Sequence, residues 1–423
     1  MTDQMKKSSG SNDVTRRSFL GAGGAVAALA ATPWWMRKAS ASPRGGNSRD
    51  VFVHVFLRGG MDGLTTCVPY GDPDLYLARP TLAIPQPGQS NGALDLDGFF
   101  GLPPAAAPLL TPWANGHLAF VHASGSTDPT RSHFESMRFM EAGIPNQPAF
   151  SIDSGWLARH LQTSAPLGNG LLRAVNVSDV LPQSLAKAPA TVSARELSTF
   201  EFPGNPISLS LRRSTLERMY SRGPEPVRSA ASSSLATIDL LQSVDYDGYQ
   251  PANGAVYPEA ELGGALRQTA ATIKADLGIE VFMMEMGGWD LHEGLGPIDG
   301  TMAGLLGALS SSLEAFYLDM FADIDRVTVL LFSEFGRRVA ENGSEGIDHG
   351  HGNVMIAMGG HIAGGQVMRQ WPGLAPQNLD NGDLAITIDY RDIVAEIVSQ
   401  RLGNQNLSEI FPNYTPTFQG ITV

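Results

Sequence analysis

The sequence is short of several features that would place it in common classes of protein. Cys67 is the only cysteine among 423 residues, so no intramolecular disulfide is possible and the fold must depend on its hydrophobic core. Positive charge is also scarce, because 29 Lys and Arg stand against 42 Asp and Glu and the formal net charge is −13. Such an acidic surface argues against nucleic acid or anionic lipid as a partner.

The first 41 residues have the pattern of an export signal. Arg16 and Arg17 precede a weakly hydrophobic run over 21–31, which is shorter than the roughly 20 apolar residues that span a bilayer. The small-x-small sequence at 39–41 suits signal peptidase, and the region has no cysteine for a lipid anchor. We therefore predict a twin-arginine signal over 1–41, with the twin-arginine translocase and signal peptidase as partners. The product would be periplasmic or secreted, with no membrane anchor after cleavage.

The chain after residue 41 is predicted to be a large acidic globule. The signal carries six Lys or Arg and two Asp or Glu, so its removal takes the net charge from −13 to −17. No later stretch is long and apolar enough to span a membrane. The chain that remains is ample for one large domain or two modest ones.

Short apolar runs that alternate with helical patterns indicate the fold class. The predicted strands, rich in β-branched and aromatic residues, are 51–57, 118–121, 279–286, 327–332 and 354–358. The predicted helices are 132–141, opened by a capping box of Ser132 and Glu135, then 259–276, 302–321 and 390–402, the last opened by Asp389. This alternation predicts an α/β fold, a mostly parallel sheet with helices on both faces. Residues 160–255 are less regular, and we predict an inserted or cap region there.

Polar side chains follow several of the predicted strands. Ligands of parallel sheets bind beyond the carboxyl ends of the strands, so side chains in those loops should share one edge. Carboxylates and imidazoles that converge there form a site for a hard or borderline divalent metal ion. The candidate ligands are Asp62, Asp290, His292, Glu334, Asp348, His349 and His351.

Each candidate also has a purely structural interpretation. Asp62 can bond to the backbone of its own tight turn, and the Asp290 loop can cap a helix. Glu334 can form a surface ion pair with Arg337 or Arg338. The sequence Asp-His-Gly-His at 348–351 is the strongest single signal for a metal site. Four other histidines are not expected to bind a metal ion: His54 is predicted to lie in the core, and His117, His160 and His361 to be structural or exposed.

Five motifs in a fixed order resemble a known family. They are GGMDGL, TRSHFE, GGWDLH, SEFGR and DHGHGN. Their order resembles the secreted family called domain of unknown function 1501, which is similar in fold to the alkaline phosphatase and sulfatase superfamily. The resemblance covers nearly all of 42–423 and implies an alkaline-phosphatase-like α/β domain there. It also implies one or two divalent metal ions, zinc first, with calcium or manganese as alternatives.

The resemblance assigns metal-binding roles residue by residue. The matching positions are Asp62, Asp290, His292, Glu334 and either His349 or His351. Asp290 and His292 are closer together in sequence than in the phosphatase pattern. The Ser-Glu-Phe-Gly motif stands where the superfamily has Ser-Asp-His-Gly, so Phe335 removes one ligand. This departure permits a member with a single metal ion or none.

The nucleophile has two candidates. Thr127 lies in Thr-Asp-Pro-Thr-Arg, which resembles the sulfatase signature, but threonine cannot become formylglycine and the sulfatase mechanism itself is disfavoured. Its alkoxide can still attack phosphorus. Ser132 stands at a helix start, where free amides and the helix dipole favour an anion. Arg131 can clamp a phosphate or sulfate. His133 is open to three roles: metal ligand, acid or base, or an ordinary first-turn residue.

The expected function is an exported metal-dependent hydrolase of phosphate or sulfate esters, with an anionic ester as substrate. The alternative is a non-catalytic protein of the same fold that binds a glycan or a protein partner in the cell envelope. Substrate specificity would lie in residues 160–255, since inserted segments carry the specificity of such folds.

Overall fold

The computed structural model describes residues 50–146 and 153–423. The predicted twin-arginine signal and its cleavage site lie outside the described residues. Within the described ranges, no helix has both the length and the apolar character needed to cross a membrane.

One sheet organises the described part of the chain. Its strands are β1 (Val51–Leu57), β4 (Leu118–Gly125), β5 (Ala174–Asn176), β6 (Thr191–Ser193), β7 (Val281–Met286), β8 (Val327–Ser333), β9 (Asn353–Gly359), β10 (Gln366–Met368) and β11 (Ile388–Asp389). A separate two-stranded ribbon consists of β2 (Leu94–Asp95) and β3 (Gly101–Leu102). The strand order in the main sheet is β10-β4-β9-β8-β1-β7-β5-β6, and β11 also pairs with β4.

The strand directions confirm a mostly parallel sheet. β1 pairs in parallel with β7 and β8, and β5 pairs in parallel with β6 and β7. β9 runs antiparallel to both of its neighbours, β4 and β8. The segment between β8 and β9 therefore stays at one edge of the sheet. The carboxyl ends of β1, β7 and β8 meet the start of β9 at that edge.

The helices flank this sheet. They are α1 (Gly63–Thr66), α2 (Pro73–Ala78), α3 (Leu110–Ala114), α4 (His133–Ala142), α5 (Trp156–Thr163), α6 (Leu209–Ser221), α7 (Val227–Gln242), α8 (Glu261–Lys274), α9 (Thr301–Asp319), α10 (Tyr390–Gln400) and α11 (Leu407–Ile410). The four predicted helices correspond to α4, α8, α9 and α10. Residues 160–255 are more regular than expected, because they contain β5 and β6 of the main sheet as well as the helices α6 and α7.

The apolar side chains of β1 alternate between two cores, which explains why helices cover both faces. Val53 and Val55 pack in a cluster with α8 and α9, whereas Phe52 and Phe56 pack in a cluster with α5 and α10. His54 lies on the second face and is fully buried, 4.5 Å from the Phe332 ring. Its Nδ1 lies 3.0 Å from the Leu330 carbonyl oxygen, and burial lowers the pKa of His54 to about 4. The prediction of a core histidine is confirmed.

The helix starts bear out one sequence signal and correct another. Asp389 caps α10, since its carboxylate accepts the N–H of Arg391. Ser132 does precede α4, but its side chain makes no capping hydrogen bond, so the predicted capping box is wrong. Thr130 instead links the preceding segment to the helix, because its hydroxyl donates to Glu135 Oε2 at 2.8 Å and accepts from the backbone N–H of Ser132 at 3.2 Å.

Candidate metal centre

Four side chains from three segments meet at the carboxyl edge of the sheet. His133 begins α4, Asp290 and His292 follow β7, and His349 precedes β9. The three imidazoles share one neighbour, the carboxylate oxygen Oδ1 of Asp290. The imidazole Nε2 atoms lie 3.4, 3.0 and 3.1 Å from it, for His133, His292 and His349 in that order. The Nε2 atom of His349 is also 3.0 Å from that of His133 and 2.9 Å from that of His292.

The outer nitrogen of each imidazole faces a group that only accepts hydrogen bonds. The acceptors are Glu334 Oε1 for His133 at 2.7 Å, Asp348 Oδ1 for His292 at 2.9 Å, and the Arg131 carbonyl for His349 at 2.8 Å. Hydrogen bonds to these acceptors require each ring to carry a proton on Nδ1. In the neutral rings, all three Nε2 atoms then present lone pairs to one another and to Asp290.

Lone pairs that face each other at such distances repel unless a cation or a proton lies between them. Histidines that bind a metal ion have this arrangement, in which the outer N–H bonds to a carboxylate or carbonyl and the inner nitrogen faces the ion. The hydrogen-bond pattern therefore fits a metal site in its outer partners as well as in its inner atoms.

The core of the cluster also has the size of a tetrahedral metal site. Ligands at about 2.1 Å from a tetrahedral zinc ion are about 3.4 Å apart. The corresponding separations among His133, Asp290 and His349 are 3.0, 3.1 and 3.4 Å, and these three residues form a group that can hold a metal ion. His292 flanks the three and is close enough to Asp290 and His349 to supply a fourth nitrogen. Nitrogen and carboxylate ligands together suit zinc.

The pKa shifts of the cluster differ from one residue to the next. The hydrogen bond to Glu334 raises the pKa of His133, whereas burial lowers the pKa of His349. Burial alone would raise the pKa of Asp290, but the hydrogen bond and the charge of Arg337 bring it well below its usual value. Asp290 is therefore an anion at neutral pH, beside at least one imidazole that resists protonation.

Glu334 and Phe335 hold the His133 ring in place. Glu334 is fully buried, and its Oε1 accepts the backbone N–H of Gly59 at 2.9 Å as well as bonding to His133. The Phe335 ring packs 4.8 Å from the His133 ring and 4.9 Å from the His349 ring. The predicted ligand Glu334 thus acts through His133, and Phe335, which cannot bind a metal ion, packs on two of the imidazoles.

A buried arginine shares the Asp290 oxygen with the histidines. Arg337 Nη2 is 2.6 Å from Asp290 Oδ1, and the same guanidinium donates to the carbonyl oxygens of Gly59, Gly60, Trp289 and Ile347. The alternative interpretation of Glu334, a surface ion pair with Arg337 or Arg338, is wrong, because Glu334 is buried and bonds to His133 and Gly59. Arg337 instead ties the loops after β1 and β7 together, because its carbonyl partners lie on both.

Asp62 lies apart from the cluster. Both of its carboxylate oxygens bond to Arg79, at 2.6 and 2.9 Å, and Oδ2 also accepts the N–H of Thr65 at 3.2 Å. Asp62 is 2 % exposed and Arg79 1 %. The structure thus gives Asp62 the local role that was the alternative to metal binding. Its pKa is lowered by the charge and hydrogen bonds of Arg79, which outweigh the effect of burial.

The two remaining predicted ligands bond to other groups. Asp348 accepts from the Nδ1 atom of His292 and so holds the outer side of that ring. Nδ1 of His351 lies 3.0 Å from Asp380 Oδ2, and its Nε2 lies 3.0 and 3.2 Å from the carbonyl oxygens of Ser126 and Asp128. Of the two histidines in the Asp-His-Gly-His sequence, the structure brings only His349 into the cluster.

The predicted nucleophiles and the predicted clamp lie on the segment that leads to His133. Thr127 is exposed, and its Oγ1 accepts from Asn146 at 3.3 Å. Ser132 is half-buried and precedes His133 directly. Arg131 forms an ion pair with Asp383, with Nε 3.1 Å from Oδ2. The guanidinium that was predicted to clamp an anion is therefore already paired with a carboxylate.

Sequence reasoning missed the partners that are distant in the chain. Arg79, Asp380 and Asp383 carry no local signal, since each is an isolated charged residue in a loop or at a helix end. His133 was recognised but left with three roles. Its place in the TRSHFE motif, after a buried strand, is the same strand-end signal that selected the other ligands.

The fold and the cluster define an α/β protein with a candidate His/Asp metal site at the carboxyl edge of its sheet. The chain belongs to the family described as "Protein of unknown function (DUF1501)", whose model matches residues 106–402. None of the curated proteins matches the sequence.

Several solved structures are similar in fold to this chain. A sulfatase (PsFucS1) from Pseudoalteromonas sp. is 10% identical with a TM-score of 0.36, over 94% of this chain and 74% of its own. A protein in the alkaline phosphatase superfamily from Vibrio parahaemolyticus is 10% identical with a TM-score of 0.33, over 81% and 69%. The C-terminal periplasmic domain of EcEptC from Escherichia coli, in complex with Zn, is 8% identical with a TM-score of 0.35, over 89% and 90%.

Proposed function

We propose that the chain is a metal-dependent hydrolase of phosphate or sulfate esters with its centre at His133, Asp290 and His349. The observation that supports it is the convergence of three Nε2 atoms on one Asp290 oxygen, with every Nδ1 held outward by an acceptor. The proposed ion is zinc, with manganese or calcium as alternatives. His292 is the proposed fourth ligand.

A divalent ion bound there would supply Lewis acidity for the attack on an ester. The chain contributes the rest of the site. The carboxylates of Glu334 and Asp348 hold two imidazoles in the Nδ1–H tautomer, so that their Nε2 lone pairs remain free for the ion. The exposed fractions of Asp290 and His292, 47 % and 41 %, leave the centre open to a substrate from solvent.

The start of α4 supports Ser132 as the nucleophile. Its hydroxyl makes no capping hydrogen bond, so it is available for another partner. It lies between His133, a proposed ligand, and Arg131, whose carbonyl bonds to His349. The first amides of a ten-residue helix also favour a negative charge at this position. Thr127 is the second choice, because it is five residues further from His133 along an exposed loop.

The test combines elemental analysis with an ester panel. Protein purified without chelators should contain about one equivalent of zinc, manganese or calcium. The metal-loaded protein should hydrolyse at least one class of phosphate monoester, phosphate diester or sulfate ester. His349→Gln should abolish both properties. His361→Gln is the matched control, since it changes a half-buried histidine that follows the end of β9 opposite to the cluster.

Variants of the nucleophile make the test sharper. We expect Ser132→Ala to lower kcat by at least about 10³-fold with the metal retained, because the covalent step would be lost. Thr127→Ala should leave kcat within a few-fold. The reverse pattern would transfer the role to Thr127. Hydrolysis unaffected by either change would mean that water attacks directly.

A non-catalytic envelope protein is the second candidate function. The specific observation in its favour is the Arg337–Asp290 ion pair, which supplies a positive charge to the oxygen that a metal ion would need. A protein with no stoichiometric metal and no esterase activity would support this alternative. Its binding partner, a glycan or an envelope protein, would then be the object of study.

Export is proposed from the sequence alone. Arg16 and Arg17, with the apolar run and the small-x-small site, support passage through the twin-arginine translocase and cleavage after residue 41. Replacement of both arginines by lysine should hold the full-length precursor in the cytoplasm. Release of the processed chain by that variant would contradict the proposal.

A further inference from the structure

A short acidic turn borders the candidate metal centre without contributing a ligand to it. Asp380 and Asp383 close this turn through two reciprocal backbone hydrogen bonds, each 3.0 Å long. The Asp383 side chain is fully buried, and its Oδ1 has no hydrogen-bond partner among the described residues. Arg338 Nη1 lies 3.9 Å from that oxygen, so the buried charge depends on the arginines around it.

The other oxygen of Asp383 connects the turn to a histidine of the cluster in two steps. Oδ2 accepts from Nε of Arg131 at 3.1 Å and also from its Nη2. The backbone carbonyl of the same Arg131 accepts the Nδ1–H of His349 at 2.8 Å. Asp383 thus holds the residue whose carbonyl sets the orientation of the His349 ring.

The Arg131 carbonyl needs such support because it belongs to an irregular segment. Residues 126–131 form no helix or strand between β4 and α4. A carbonyl on such a segment can orient an imidazole only if the segment itself is held in place. Asp380 supplies a second attachment, since it bonds to His351, which contacts the carbonyl oxygens of Ser126 and Asp128.

We propose that Asp383 is a positioning residue of the centre, which fixes the His349 tautomer and ring orientation through Arg131. The proposal rests on the metal centre of the proposed function and adds the network that pre-forms it. Asp383 touches neither the ligand atoms nor the space between them. Its effect reaches the centre only through Arg131.

Loss of the Asp383 carboxylate should leave the chain folded. The two arginines that face it, Arg131 and Arg338, are 38 % and 41 % exposed, so water can solvate both guanidinium groups after the change. Asp383→Ala therefore removes the link, whereas Asp383→Asn keeps an acceptor for Arg131 and should rescue part of the effect. Arg131→Gln breaks the same link from the solvent side. This variant tests the proposal if Asp383→Ala does not fold.

The first measurement is the dissociation constant for zinc, by competition with a chromophoric chelator. Partners of metal ligands typically change affinity by about 10- to 100-fold, and we expect about 10-fold weaker zinc binding in Asp383→Ala and in Arg131→Gln. Both changes break the same link, so their effects should not add. The double variant should bind zinc with about the same affinity as the single variant that binds it less tightly. Asp239→Asn is the control, since it breaks the exposed Arg213–Asp239 pair on the α6–α7 hairpin.

The second measurement is independent of metal binding. The protein is labelled with nitrogen-15 in its histidines and kept metal-free with a chelator. Its nitrogen-15 spectrum reports the tautomer of His349, and the signal that is missing from His349→Gln identifies this residue. The wild type should show the Nδ1–H form, and Asp383→Ala should show a mixture of tautomers.

The outcomes separate this proposal from the proposed function. The wild type could bind no zinc while the His349 tautomer still depends on Asp383. That result would contradict the proposed hydrolase and support the positioning role. Folded Asp383→Ala or Arg131→Gln protein with an unchanged His349 spectrum and unchanged zinc affinity would overturn the positioning role, whatever the enzyme does.

Discussion

Two neighbouring strands end in the same motif, Gly-Gly-x-Asp, yet the two aspartates differ in what surrounds them. Asp62 follows β1 and Asp290 follows β7, and these strands pair in parallel. Each aspartate bonds to a buried arginine, Arg79 in the first case and Arg337 in the second. Asp62 is 2 % exposed and gives both oxygens to its arginine, whereas Asp290 is 47 % exposed and shares one oxygen with three imidazoles.

The difference shows how one local motif serves two purposes. An aspartate whose oxygens are both taken by an arginine in the interior acts as a structural ion pair. An aspartate at the surface, with oxygen lone pairs still open and imidazole nitrogens around it, is suited to a cation. Residues far away in the chain, rather than the motif, make this distinction.

The largest expected effect in this comparison is on the stability of the Asp62 side. Asp62→Ala leaves the buried Arg79 charge without a partner, and loss of one partner of a buried pair costs about 3–5 kcal/mol in the free energy of unfolding. Chemical denaturation of the metal-free protein measures it, with Asp74→Ala, on the helix α2 that precedes Arg79, as the control. Asp62→Leu combined with Arg79→Met should recover much of the loss. A loss below about 1 kcal/mol would contradict the structural role.

The same ion pair should make the protein sensitive to acid. The pKa of Asp62 is lower in the folded chain than in the unfolded chain. Its contribution is therefore complete above the usual Asp pKa of about 3.9 and disappears as the pH falls through the folded-state value. The unfolding free energy of the wild type and of Asp62→Asn is measured as a function of pH. The difference between the two proteins should shrink below about pH 4. A difference that stays constant down to pH 2 would count against the pair.

The Asp290 side should show the opposite pattern. Asp290→Asn should weaken zinc binding by about 100-fold. The binding free energy of a zinc ion is some 10–16 kcal/mol in total, and the variant impairs one of about four ligands that contribute to it. Its metal-free stability should fall less than that of Asp62→Ala, because asparagine keeps an acceptor for the buried Arg337 and four carbonyl oxygens still accept from that guanidinium. Competition titration and denaturation of the same preparation give both values. Unchanged zinc affinity would mean that Asp290 serves only as the partner of Arg337.

The smallest effect is expected from the outer partner of His292. Asp348→Asn keeps the shape of the side chain but weakens the acceptor for the His292 Nδ1–H, and we expect zinc affinity to fall by up to about 10-fold. Glu293→Gln, at an exposed carboxylate next to His292, tests whether any carboxylate near the edge has this effect. Equal losses in both variants would point to general electrostatics rather than to the bond to His292.

Local pattern alone predicted much of the fold. The strand Val51–Leu57 was predicted to the residue, and the helices α4, α8, α9 and α10 to within a few residues, because apolar periodicity and a cap such as Asp389 act over short distances. The sequence did not predict that α6 and α7 are helices. α6 buries no residue and α7 buries only Thr237 and Leu241, so the strong apolar stripe that marks a packed helix is absent from both.

The candidate site was predicted as an edge of the sheet rather than as a set of contacts. The strand-end rule brought Asp290, His292 and His349 to that edge, and the structure brings them together. The same rule selected Asp62 and His351, which the structure pairs with Arg79 and Asp380 instead. The rule locates the ends of strands, but it does not determine which way a side chain turns or which partner it meets.

The sequence by itself determined the α/β class, the positions of most core elements and the edge at which the polar residues gather. These follow from local periodicity and from the geometry common to parallel sheets. Only the tertiary structure decided which aspartate is locked by an arginine and which lies among imidazoles. The contacts that decide it join residues as distant as His133 and His349, 216 positions apart. A side chain's partner depends on the packing of whole segments, which no local pattern of residues encodes.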